Sequence, residues 1–189
     1  MITFILGATG HGKMQYGLTK TVEKSHGKKI LIISNEISPE IIIRRLDSIY
    51  EFNNTISPSE ILIKSEFNYS DLSFVSAYDV ISILGYIHNN VEGRTPEADL
   101  AVFQSTLKKL KADFPEKEII ASIQLNRSLL QTTFKEVKKI FFESELESDE
   151  GVNHIMIYRD SEDEKFKILN HYTKEVESID KRDLFCEKD

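Results

Sequence analysis

The chain has 189 residues, 40% apolar and 29% charged, which suits one globular domain with a real core and excludes wholesale disorder. A formal net charge of -7 argues against a dominant nucleic-acid-binding surface while leaving room for a local basic patch. The single cysteine, Cys186, excludes an internal disulfide and fits a reducing cytoplasm, and neither a membrane-length apolar run nor a cleavable leader is present.

Ile2 to Leu6 reads as a buried strand running into the glycine-rich stretch that begins at Gly7. A helix follows over Lys13 to Ser25, with Gly27 where a left-handed cap would sit. Lys29 to Ser34 predicts a second strand. Ser38-Pro39-Glu40 then opens a helix with a capping residue, an N1 proline and a first-turn acid. Glu60 to Lys64 is a short strand, and Asp79 to Leu84 is apolar enough for the centre of a parallel sheet.

The region from Glu97 to Ala112 carries Leu100, Phe103, Leu107 and Leu110 on one side of a helix. Ile119 to Ile123 is another buried strand, and Leu130 to Phe141 has the spacing of an amphipathic helix. Ser144 to Glu150 reads as a solvated acidic loop. His154 to Tyr158 and Lys165 to Leu169 make an edge hairpin, followed by a charged tail over 176–189. The alternation predicts one α/β domain over 1–189, a mostly parallel sheet flanked by helices.

The chemistry concentrates in Gly7-Ala8-Thr9-Gly10-His11-Gly12-Lys13-Met14. Gly7, four residues, then Gly12 and Lys13 is the spacing of a phosphate-cradling P-loop. Glycines let the backbone wrap an anion, the helix start adds a favourable dipole, and Lys13 neutralises the β and γ phosphates. The next position normally carries a hydroxyl that holds Mg²⁺. Here it is Met14, a thioether with no affinity for so hard a cation. His11 is expected to point into solvent without a role.

Several further segments, in this order, resemble the RecA-like ATPase domain of DnaB-type hexameric replicative helicases. Leu31-Ile32-Ile33-Ser34-Asn35-Glu36-Ile37-Ser38 with Arg44-Arg45-Leu46 is similar to that family's second strand and acidic motif. Gln104-Ser105-Thr106-Leu107-Lys108 resembles the helix leading to the next strand. Ile123-Gln124-Leu125-Asn126-Arg127-Ser128 is very close to its Ser-Gln-Leu-Asn-Arg-Ser segment, and Ile157-Tyr158-Arg159-Asp160 resembles its late strand. The resemblance spans nearly the whole chain. It implies a RecA-like P-loop core with an antiparallel C-terminal edge hairpin and ATP as ligand, bound through Gly7, Gly10, Gly12, Lys13 and the Met14 position. It also implies Glu36 as candidate base for the attacking water and Gln124 as candidate γ-phosphate sensor.

The departures count equally. The family's fourth strand ends in an Asp that holds the Mg²⁺ shell; here Leu84 or Gly85 aligns, depending on a one-residue register choice. Asp79 cannot replace it, lying roughly 15 Å back along the strand. The basic finger that reaches a neighbouring subunit is absent or displaced to Lys174 within His171-Tyr172-Thr173-Lys174. The family's N-terminal domain and linker helix have no counterpart ahead of the first strand, so a stand-alone monomer or small oligomer is expected rather than a hexamer.

Arg127, Lys135, Lys138 and Lys139 are candidate contacts to single-stranded DNA, opposed by Glu136 and the acidic stretch from Glu143. Two functional expectations follow. One is a degenerate domain that holds nucleotide weakly or not at all, hydrolyses little, and regulates or assists a replicative helicase or recombination protein. The other is a minimal DNA-dependent ATPase in which Glu36 organises the metal; a small nucleotide kinase is disfavoured by the missing lid arginines.

Overall fold

In a computed structural model, the described residues are 1–8, 10–34, 36–55, 58–65, 73–86, 96–125, 132–144, 151–160 and 164–186. Among them, the strands are β1 (Ile2–Gly7), β2 (Lys29–Ser34), β3 (Glu60–Lys64), β4 (Val80–Tyr86), β5 (Glu118–Gln124), β6 (Val152–Arg159), β7 (Phe166–Asn170) and β8 (Val176–Ile179). The helices are α1 (Lys13–Lys24), α2 (Pro39–Asn53), α3 (Pro96–Asp113), α4 (Phe134–Glu143) and α5 (Lys181–Phe185).

The strands form one sheet in the order β3-β2-β4-β5-β1-β6-β7-β8. Neighbours from β3 through β6 run parallel, whereas β6, β7 and β8 pair antiparallel. Period-two alternation divides each central strand between two cores. Phe4, Ile81, Ile83, Ile119 and Ala121 meet Phe103, Leu107 and Leu110 of α3 and Val137 and Phe141 of α4 on one face. Ile5, Ile30, Ile32, Val80 and Ile120 meet Leu18, Ile42, Leu46 and Leu184 from α1, α2 and α5 on the other. The expected α/β architecture, with helices on both faces and an antiparallel edge, is what forms.

Local differences have physical causes. α4 starts at Phe134 because Thr133 and Glu136 form a reciprocal capping box, with the Glu136 N–H donating to Thr133 Oγ1 and the Thr133 N–H to the Glu136 carboxylate. Glu136, expected to neutralise a DNA-binding loop, thus caps a helix. The region after 175, expected as a charged tail, supplies β8 and α5, with Leu184 and Cys186 buried. Leu130 and residues 145–150 of the acidic loop lie outside the described residues.

The chain leaves β1 toward β2 on one side of β5 and leaves β5 toward β6 on the other side of β1. Such a reversal opens a crevice beyond the carboxyl ends of β1 and β5, the usual place for a ligand in an open α/β sheet.

Candidate functional site

A cleft of about 510 Å³ opens at that crevice, a size that accommodates a nucleotide. Gly10, Gly12, Lys13 and Met14 line it from the loop and the start of α1, Glu36 from beyond β2, Arg45 from α2 and Gln124 from the end of β5. The structure therefore brings together candidates that lie up to 114 residues apart in the chain, from Gly10 to Gln124. Gly7 ends β1 directly beneath the loop, its carbonyl accepting from the Leu125 N–H.

The loop turns through left-handed backbone at Gly10 (φ 81°) and Gly12 (φ 75°), which favours glycine. Lys13 is only 6% exposed, and its Nζ donates to Gln124 Oε1 at a long 3.5 Å. The ammonium is therefore held at the junction of β1 and β5. Helix α5 backs the loop: a Cβ on Gly12 would fall 2.6 Å from Leu184 Cδ2, and Phe185 lines the cleft while packing edge-on against Phe166.

His11 corrects its expectation. It is 5% exposed, and its Nδ1 accepts the Arg159 N–H at 3.2 Å while its ring meets Tyr158 edge-on. The imidazole struts the loop against β6. Burial holds its pKa below the ordinary value, and the nearby Arg159 and Lys13 charges act in the same direction.

The opposite wall carries the departures. Leu84 pairs with Ser34 and turns into the core beside α1, where a Cβ on Gly17 would meet it. A register shift between Ile83 and Tyr86 leaves Gly85 at the strand end, with φ 75° and its N–H donating to Ser122 Oγ at 2.6 Å. Gly85 therefore stands at the position of the missing acid. A Cβ added to it would lie 2.7 Å from Glu36 Oε2, so the Glu36 carboxylate fills the space a side chain would need. Asp79 lies at the other end of β4, accepting the Lys29 N–H.

Mg²⁺ is the ion that a phosphate loop of this kind implies, and the residues present do not fit it. Met14 offers sulfur, Gly85 offers nothing, and Glu36 is the one carboxylate lining the cleft. Among the described residues no group of three His, Cys, Asp or Glu side chains is placed to hold a metal. Met14 Sδ instead meets Arg45 Nη1 at 3.8 Å, a contact the sequence did not advertise because it needs α1 and α2 side by side.

Of the DNA-contact candidates, Arg127 lies outside the described residues. Lys135, Lys138 and Lys139 are exposed on α4, and none lines the cleft. Lys174 does not project as a finger: its Nζ donates to the Phe142 carbonyl at 3.0 Å and lies 3.2 Å from His171 Nε2. No helix among the described residues is long and apolar enough to cross a membrane.

Among solved structures, the chain is similar to the ATPase domain of a DnaB-like helicase, with a TM-score of 0.62 and 12% identity, over 97% of this chain and 82% of that one. A KaiC-like protein from the hyperthermophilic archaeon Pyrococcus horikoshii OT3 has a TM-score of 0.49 and 17% identity, over 95% and 82% of the two chains. The RadB recombinase has a TM-score of 0.46 and 15% identity, over 89% and 79%. No family model matches the chain, and no curated protein does. With the strand order and the loop geometry, the first of these likenesses defines a RecA-like P-loop ATPase fold.

Proposed function

We propose that this protein is a degenerate P-loop domain that holds the phosphates of a nucleotide weakly and turns it over little or not at all. One observation carries the reading. A single cleft keeps Gly10, Gly12 and the buried Lys13 while presenting Met14 and Gly85 at the two positions where a metal shell needs oxygen. Phosphoryl transfer depends on charge neutralisation at the metal, so losing both ligands damages hydrolysis more than binding. The biological role that fits is a regulatory or accessory factor in replication or recombination, in the cytoplasm. It would act as a monomer or small oligomer that docks on a replicative helicase or recombination protein. Single-stranded DNA is at most a weak ligand.

The placement of Glu36 in the same cleft as Lys13 and Gln124 favours a second reading, an active DNA-dependent ATPase with Glu36 as base. Thermal unfolding with ATP and steady-state phosphate release with and without single-stranded DNA separate the two. The expected result is a rise in melting temperature with ATP, by mass action on the native state, that Lys13→Ala abolishes. Release above roughly 1 s⁻¹ that vanishes in Lys13→Ala would establish the second reading.

A further inference from the structure

We propose that the Arg45 guanidinium takes the place of the divalent cation, so that the cleft receives a polyphosphate chain as the free anion rather than as its magnesium complex. This rests on the phosphate-binding reading of the same site.

The first ground is an unmet charge. Arg45 carries five N–H donors, yet the acceptor it meets is the Met14 thioether, among the weakest a protein offers. Lys13, almost fully buried, has Gln124 Oε1 at the limit of hydrogen-bond distance. Among the described residues neither cation makes an ion pair, whereas Lys20 and Lys29, on the surface, pair with Glu23 and Glu60. Taking a cation partly out of water without a counter-charge is unfavourable, and an anion entering the cleft removes that penalty from both groups.

The second ground is where Arg45 sits. Met14 occupies the position whose hydroxyl would face the metal, and the guanidinium lies against that residue's sulfur. A positive charge thus stands next to where the metal's charge would be needed, delivered by a planar fork that matches phosphate oxygens in pairs. A hydrated Mg²⁺ on the same phosphates would occupy the oxygens the fork needs and would meet a like charge.

Glu36 supplies the discriminating prediction. It is the one carboxylate lining the cleft, and it lies over Gly85. If it held a metal, neutralising it would weaken binding. In a metal-free site it only repels the incoming anion, so Glu36→Gln must tighten binding.

Calorimetric titration of the full chain with ATP and with inorganic triphosphate, in EDTA and in excess Mg²⁺, tests this. Both ligands should bind in EDTA at least as tightly as in Mg²⁺. Arg45→Gln, which keeps much of the stem, should weaken binding in EDTA by about tenfold or more, since a lost hydrogen bond to a charged group is of that size. Glu36→Gln should strengthen it. Binding that needs Mg²⁺, or that Glu36→Gln weakens, overturns the proposal while leaving the phosphate site standing. Absence of binding under both conditions overturns both. The metal dependence of the unmodified chain and the Glu36→Gln result decide the matter even if Arg45→Gln fails to fold.

Discussion

The two walls of the cleft have fared differently. The β1–α1 wall retains its glycines and lysine and is propped from behind by Leu184 of α5 and from below by His11 on β6. The β2–β4 wall has lost the acid at its strand end, and the Glu36 side chain has settled into the room that loss created. Holding a phosphate requires only backbone geometry and a cation, which the first wall provides. Organising a metal requires oxygen ligands from both walls at once, so one substitution on each is enough to remove it. The contrast places the functional change at the metal and leaves the anion cradle intact.

The largest expected effect breaks the intact wall from behind. Leu184→Ala empties a buried position against Gly12, and a leucine truncation of this kind costs about 2–5 kcal/mol. Denaturant unfolding should show that loss, and ATP should then raise the melting temperature less than in the unmodified chain. An unchanged ATP response would mean that α5 packs on the loop without shaping it.

This support was invisible in the sequence for a definite reason. Over 176–189 the charged residues outnumber the apolar ones, and the four-residue β8 is too short to display its alternation. Only pairing with β7 reveals Val176 and Ile179 as inward positions. The sheet itself was legible because β2, β3 and the central strands carry continuous or alternating apolar runs, and the bounds of β2 and β3 match those expected. The loop glycines and Lys13 were legible because their spacing is local. The contacts of His11 and Arg45 were not, since one reaches 148 residues ahead and the other bridges two helices. The choice between Leu84 and Gly85 needed the irregularity in β4, which no apolar pattern reports.

A smaller effect sharpens the comparison from the damaged wall. Gly85→Asp restores the acid expected at that strand end, but it does so at φ 75° and against the Glu36 carboxylate. The left-handed backbone costs about 1 kcal/mol for a residue with a Cβ, and repulsion between carboxylates adds to it. The expected outcome is a modest fall in stability with no gain in Mg²⁺-dependent ATP binding, read by denaturant unfolding and titration. A clear gain in Mg²⁺ dependence would show instead that a single residue, and not the wall, was lost.

The smallest effect concerns the strut beneath the intact wall, and its sign follows from proton counting. His11 is buried with its Nδ1 accepting a backbone N–H, so the folded state favours the neutral ring and its pKa lies below that of the unfolded chain. As the pH falls through about 6.5, the ordinary histidine value, the unfolded chain takes up a proton that the folded chain still refuses. The unfolded state binds more protons in that window, so stability declines with falling pH until the folded ring is also protonated. Asparagine at this position keeps an acceptor for the Arg159 N–H and cannot titrate. Urea unfolding of the two chains between pH 7.5 and pH 5, about one unit above and more than one below the ordinary value, should therefore show a shallower decline in His11→Asn. Identical slopes would mean that the imidazole leaves its pocket on protonation at no cost, and that the loop does not depend on β6 for its shape.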